Sequence, residues 1–289
     1  GTTLYKETGD IYLVADVLGT QGCQYNQKHY AAIDEDRRRM AAKAVTLTGT
    51  LRELTKERIN LMQKERTIGT TTLKTPYIGM GTWAIGGGTW WGENDDALSI
   101  RTIEEAIDRG IVWFDTAPVY GIGHSENVVG KAIKQNRSRI LLSTKCGLEW
   151  DHETPCFHKV MEGRNVYRDL SAAAIRKNLE DSLRRLQTDY IDIYYTHWQT
   201  PDFSLYPLEE TMDTLLQLKK EGKIRAIGAS NVTAKIIEKY CSLGQLDVIQ
   251  EKYSLLDTHI ADKLLPVCQK HHVSIQRTRL WNRDCSQEK

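Results

Sequence analysis

Three mostly apolar runs, each closed by an ionisable side chain, constrain this chain more than any other feature. Ile111-Val112-Trp113-Phe114 ends in Asp115, and Tyr120 follows on a turn-rich loop. Ile140-Leu141-Leu142-Ser143-Thr144 ends in Lys145, and Ile191-Asp192-Ile193-Tyr194-Tyr195-Thr196 ends in His197. A short run without polar alternation fits a strand buried on both faces, the pattern of a parallel sheet. In a (β/α) barrel, active sites are built at the C-terminal ends of such strands. Asp115, Tyr120, Lys145 and His197 at three strand ends make a proton-transfer set, and the chemistry that fits it is carbonyl reduction.

The surrounding pattern alternates strand and helix. Arg66-Thr67-Ile68 and Thr72-Leu73-Lys74 flank Gly69 and predict a small hairpin, followed by a first barrel strand over residues 78–81. Ala97, Ile100, Ile103 and Ile107 recur at helical spacing, with Gly110 as the stop. Ser171 is placed to cap a helix carrying Ile175, Leu179, Leu183 and Leu186 on one stripe. Pro207 suits the first position of a helix with Met212, Leu215 and Leu216 inward and Gly222 at its end. Strands over 224–228, 248–250 and 273–276 complete the count. The expected fold is α/β, a (β/α)8 TIM barrel that is incomplete at about seven strands, with an N-terminal non-barrel extension.

From about Glu65 to Gln276 the chain resembles the aldo-keto reductases, most of all their bacterial members. The motifs are Gly79-Met80-Gly81-Thr82-Trp83, Trp113-Phe114-Asp115-Thr116-Ala117 with Tyr120-Gly121, Ser143-Thr144-Lys145, Thr196-His197, Gly228-Ala229-Ser230-Asn231 and Gln250. Each alone is weak; their order at successive strand ends makes the signal. The resemblance implies hydride transfer from NADP(H) to an aldehyde or ketone. It makes Tyr120 the acid, Lys145 its activating cation, Asp115 the residue that orients Lys145, and His197 a holder of the carbonyl oxygen. It assigns Gly81, Thr82, Trp83, Ser230, Asn231 and Gln250 to the cofactor.

Both ends depart from the family. After Gln276 the chain reads Arg277-Thr278-Arg279-Leu280-Trp281 and on to Lys289. One permitted coding of this tail, with a single G set before it, regroups to Ala-Tyr-Ser-Pro-Leu-Glu-Gln-Gly-Leu-Leu-Thr-Gly-Lys, a family-like continuation. The expectation is a one-base deletion after the Gln276 codon, so that 277–289 is a frameshifted tail and the barrel covers 62–276. Thr278 then replaces the family's nicotinamide-stacking tyrosine, and the strand that precedes its 2′-phosphate grip is missing. An open barrel leaves strand edges near 78–81 and 273–276, from which poor solubility and weak turnover are expected. Residues 1–61 are unassigned. Asp10-Ile11-Tyr12-Leu13-Val14-Ala15-Asp16-Val17 reads as a strand, 31–60 as largely helical, and Asp34-Glu35-Asp36-Arg37-Arg38-Arg39 as a solvated helix face.

Composition excludes little. A net charge of +1 offers no electrostatic case for nucleic acid or a membrane surface. The six cysteines include no C-x-x-C pair and read as reduced thiols, which with the lack of a visible signal peptide points to a cytoplasmic protein. His152, Cys156 and His158 match no standard zinc spacing and read as a loop; no metal is expected. Gly86-Gly87-Gly88 lacks the layout of a dinucleotide fingerprint, and Gly121-Ile122-Gly123 marks a flexible loop. Ser125 and Glu126 read as helix-capping residues. Trp83, Trp90 and Trp91 either line an apolar substrate pocket or pack their own loop. A small-molecule carbonyl is the expected partner. The alternative is a non-catalytic truncated barrel, or a binding module like the potassium-channel β subunits of the same fold.

Overall fold

In the computed structural model, residues 65–254 and 257–278 are described; the expectations for 1–61 and for 279–289 fall outside them. Among the described residues, no helix is long and apolar enough to cross a membrane.

The short apolar runs become the strands of one parallel sheet. Its members are β3 (Met80–Gly81), β4 (Trp113–Asp115), β5 (Leu141–Cys146), β9 (Ile191–Thr196), β10 (Ile224–Ser230), β11 (Val248–Lys252) and β12 (Ser274–Thr278). They lie in the order β12-β11-β10-β9-β5-β4-β3, every neighbouring pair parallel. Among the described residues this curled, seven-stranded half-barrel has β3 and β12 as its edges, as the sequence led one to expect. The last strand runs two residues further than predicted, through Arg277 and Thr278, which pair with Glu251 and Lys252.

Between the strands run α1 (Gly88–Trp91), α2 (Asp96–Asp108), α3 (His124–Ile133), α4 (Ala172–Leu186), α5 (Leu208–Lys220), α6 (Ala234–Leu243), α7 (His259–Lys263) and α8 (Leu265–Lys270). The amphipathic stripes explain their docking. In α4, Ile175, Leu179, Leu183 and Leu186 are all buried, and Ser171 caps the helix by accepting from the Ala174 amide, as its hydroxyl suggested. Pro207 is displaced from its expected place: it is the N-cap of α5, outside the first helical residue, where its extended ψ of 134° breaks from helix. Outward-facing strand residues and inward-facing helix residues share one core, including Phe114, Leu142, Tyr194, Met212, Ile227 and Ile249.

A second, smaller core fills the concave side. Trp113, Leu141, Ile193, Tyr195, Ala226 and Val248 project inward from successive strands and meet Ile68 and Leu73. The last two come from the predicted hairpin, β1 (Glu65–Thr67) paired antiparallel with β2 (Lys74–Pro76). Gly69 turns it with φ +51° and sits against the Asp247 backbone at a point where a Cβ would come within 2.6 Å of the carbonyl oxygen.

The segment after β5 is a loop at His152 and Cys156, as their spacing suggested, but carries His158 on a strand. It forms an antiparallel sheet, β6 (Leu148–Glu149), β7 (Phe157–Met161) and β8 (Arg164–Arg168), in the order β6-β8-β7. Glu162 and Gly163, both at positive φ, make its two-residue turn. The Glu-Gly pair between two five-residue strands was the available signal.

Candidate active site

The three ionisable strand ends meet at one face of the sheet because parallel strands deliver their C-terminal ends to the same side. Asp115 pairs in register with Ser143, and Lys145 with Tyr195, so β4, β5 and β9 present their termini side by side. Lys145 is fully buried. Its ammonium donates to Asp115 Oδ2 and to the Thr116 carbonyl, both at 2.8 Å, and lies 5.1 Å from the centre of the Tyr120 ring. Burial alone would lower the pKa of this lysine. The Asp115 charge, joined by the charge and hydrogen bonds of Tyr120 and Asp115, outweighs it and holds the pKa above the usual value. Lys145 therefore stays a cation although it has no contact with solvent.

Asp115 is braced on its other oxygen. Ser143 Oγ donates to Oδ1 at 2.8 Å and Gln250 Nε2 at 3.0 Å. Gln250 also donates to Gln276 Oε1 at 2.9 Å, which in turn accepts from Tyr195 OH at 2.5 Å. This polar chain runs across the concave side from β4 to β12. Gly228 is required beside it, since a Cβ there would enter the Tyr195 ring.

His197 packs edge-on to Tyr120, with ring centres 6.0 Å apart. Burial first, then the Lys145 charge, the nearby His158 and the Lys159 charge, hold its pKa well below the ordinary value. It is a neutral imidazole at physiological pH, able to donate one hydrogen bond without adding charge. Trp83 stacks on Tyr120 at 6.0 Å and meets Trp90 at 5.9 Å and Trp91 at 5.5 Å. Trp83 thus links Trp90 and Trp91 to Tyr120. Gly86 and Gly121 lie backbone to backbone: a Cβ on Gly86 would come within 2.8 Å of the Gly121 nitrogen. Two loops therefore approach closely at the segment that the glycines mark.

Ser125 and Glu126 do not cap α3, whose N-cap is Gly123 with no side-chain bond. Both are fully buried. Ser125 Oγ donates to the Thr82 carbonyl at 2.8 Å, while Glu126 pairs with Arg185 and accepts from Thr144 Oγ1, both at 2.6 Å. They bind the strand ends together. The trio once weighed for metal is separately engaged: His152 with Asp169, Cys156 beside Thr200, and His158 with Arg168.

For a nicotinamide the donor set fits in part. Asn231, at φ +55°, uses only its Nδ2, toward the His197 carbonyl and Ser230 Oγ, which leaves its side-chain carbonyl for a carboxamide N–H. Ser230 Oγ donates to the Gln250 carbonyl. No atom lies within 4 Å of the place a Cβ would take on Gly81, so the end of β3 is open. Thr82, by contrast, is fully buried with its hydroxyl committed to the Asp115 carbonyl at 3.0 Å; it braces β3 against β4.

Residues 77–277 match the model of the aldo/keto reductase family. The chain belongs to that family. This aldo-keto reductase is 46% identical over 215 residues to the NADH-specific methylglyoxal reductase of Escherichia coli, a match covering 74% of the chain and 66% of that protein. The chain thus spans just under two thirds of this relative's length. Among solved structures it resembles the glycerol dehydrogenase AKR11B4 of Gluconobacter oxydans, with TM-score 0.65 and 36% identity, covering 76% of this chain and 67% of that one. An aldo/keto reductase of Klebsiella pneumoniae in complex with NADP and acetate matches with TM-score 0.59 and 30% identity, covering 75% and 68%.

One buried carboxyl beside the Asn231 loop was not legible in the sequence. Glu251 is 7% exposed and accepts from the Val232 amide at 2.7 Å. Burial pushes its pKa up from 4.5 to about 7, against the opposing pull of that amide and of His259. The folded chain thus keeps a proton that the unfolded chain releases near 4.5, and between these values stability falls as pH rises. Glu251→Gln should remove this slope. Urea midpoints at either end of the window should differ less for the variant than for the parent, and equal slopes would refute the assignment.

Proposed function

We propose that this aldo-keto reductase reduces an aldehyde or ketone to an alcohol at the site formed by Asp115, Tyr120, Lys145 and His197. The observation that carries the reading is the buried Lys145 cation, held by Asp115 and set against Tyr120. Nicotinamide, when bound, supplies the hydride. Ser230 and Asn231 would hold its carboxamide.

Tyr120 hydroxyl donates its proton to the carbonyl oxygen as negative charge develops there. An ordinary phenol, with a pKa of about 10, is a reluctant donor at neutral pH. Lys145 offsets this by stabilising the phenolate left behind, and Asp115 fixes the position and charge of Lys145. Neutral His197 donates to the same oxygen and orients it.

The sequence pointed to NADP(H). The Escherichia coli relative is named as NADH-specific and the Klebsiella pneumoniae structure contains NADP, so the proposal takes reduced nicotinamide with either adenosine end. One observation favours weak turnover, and with it the non-catalytic alternative. Among the described residues the sheet remains open between β3 and β12, so those residues do not enclose the site on that side.

Titration of the chain with NADH and with NADPH, followed by nicotinamide fluorescence, tests the reading. Reduction of methylglyoxal and 4-nitrobenzaldehyde is then measured with each cofactor. Binding of at least one and turnover of at least one carbonyl are expected; binding of neither would overturn the proposal.

A further inference from the structure

Outside the catalytic group, one contact joins the β7–β8 turn to α1. Glu162 stands in the β7–β8 turn at φ +48°, in the left-handed region that a residue with a Cβ enters only when its surroundings hold it. Its Oε2 accepts from the Thr89 amide and its Oε1 from the Thr89 hydroxyl, both at 2.9 Å. Gly88 precedes Thr89 at φ +72°, and a Cβ there would run into the same carboxylate. Lys159, on the same hairpin, places its ammonium 5.2 Å from the centre of the Trp90 ring. The hairpin after β5 therefore grips α1 by a two-pronged carboxylate and a cation over an aromatic face.

What α1 carries gives this grip a consequence. Trp90 and Trp91 follow Thr89 directly, both pack on Trp83, and Trp83 stacks on Tyr120 with 29° between ring planes. Left to itself, a four-residue helix bounded by Gly87 and Gly92, both at positive φ, has little to hold its orientation. We propose that Glu162 is a positioning residue for the carbonyl substrate. Through Thr89 it fixes the tryptophan group as an apolar wall beside Tyr120, and that wall favours carbonyls bearing an aromatic group over small ones. This rests on the reduction reading above.

Glu162→Ala and Glu162→Gln test it, with 4-nitrobenzaldehyde and propanal as probes. Losing a charge-assisted, two-pronged contact corresponds to about a tenfold effect. Glu162→Ala should raise the KM for 4-nitrobenzaldehyde relative to that for propanal by about that factor, with kcat for the aromatic aldehyde changed by less than about threefold. Glu162→Gln keeps an acceptor for Thr89 and should recover most of the preference. A purely structural tie would lower Tm in Glu162→Ala and leave the ratio of the two KM values as in the parent, which would overturn the proposal. Acrylamide quenching of tryptophan fluorescence, without substrate or cofactor, gives a readout independent of turnover. Quenching should increase in Glu162→Ala and not in Glu162→Gln; equal quenching in all three would refute the tie itself. If the parent reduces neither probe, the reduction reading fails and the substrate preference with it, while the quenching result still decides whether Glu162 holds the wall.

Discussion

Asp115→Asn should cost this protein both its fold margin and its chemistry, and the two losses should separate in a double variant. Lys145 is fully buried and pairs with a single carboxylate, Asp115, among the described residues. Neutralising that partner leaves the ammonium with the Thr116 carbonyl and Tyr120, which do not balance its charge. Breaking a buried pair from one side typically costs about 3–5 kcal/mol, a large part of the stability of most domains. Carbonyl reduction should fall by about a hundredfold or more, because a lysine that loses its proton no longer stabilises the phenolate. Adding Lys145→Met to Asp115→Asn removes the orphaned charge. Urea unfolding of the double variant should show most of the lost stability regained, with activity still absent. If Asp115→Asn alone unfolds at the parent's urea concentration, the buried pair does not hold the site together as described.

The second large effect belongs to Tyr120→Phe. Removal of the proposed acid should lower kcat by about a hundred- to ten-thousandfold, the usual span for a positioned proton donor. Stability should hardly change. The phenyl ring can keep its stacking on Trp83 and its edge contact with His197, and Lys145 retains Asp115. Cofactor affinity should also persist, since Ser230 and Asn231 are untouched. A loss confined to kcat identifies Tyr120 as a group that acts in the transition state. Equal reduction rates in parent and variant would remove it from that role.

These expectations concern residues that were readable one strand at a time. Asp115, Lys145 and His197 stood out because each closes an apolar run, and a parallel sheet sends such ends to one face. Ser171 and the stripe of α4 were equally plain, as was the Gly69 hairpin. In each case the interaction that decides the structure lies within a few residues or follows from periodicity. Side chains that reach across the fold were misread or unseen. Ser125 and Glu126 look like caps by position, but their partners are Thr82 just after β3, Thr144 on β5 and Arg185 on α4. The histidines and cysteine of 152–158 suggested a loop, and His152 and Cys156 lie in one, yet His158 stands on β7, which pairs with β8 through a two-residue turn.

The sequence by itself determined the order of the parallel strands, the family, and which ionisable groups arrive at the C-terminal rim. Local burial periodicity and chain direction are sufficient for that. Only the tertiary structure decided what those groups do to one another. That Lys145 remains charged while buried follows from Asp115, and Asp115 is held in turn by Gln250, 135 residues away along the chain. That His197 is neutral follows from burial and from cations on β5 and β7. Charge state and hydrogen-bond pairing depend on distance in space, where electrostatic energy falls off, and no spacing along a sequence encodes it.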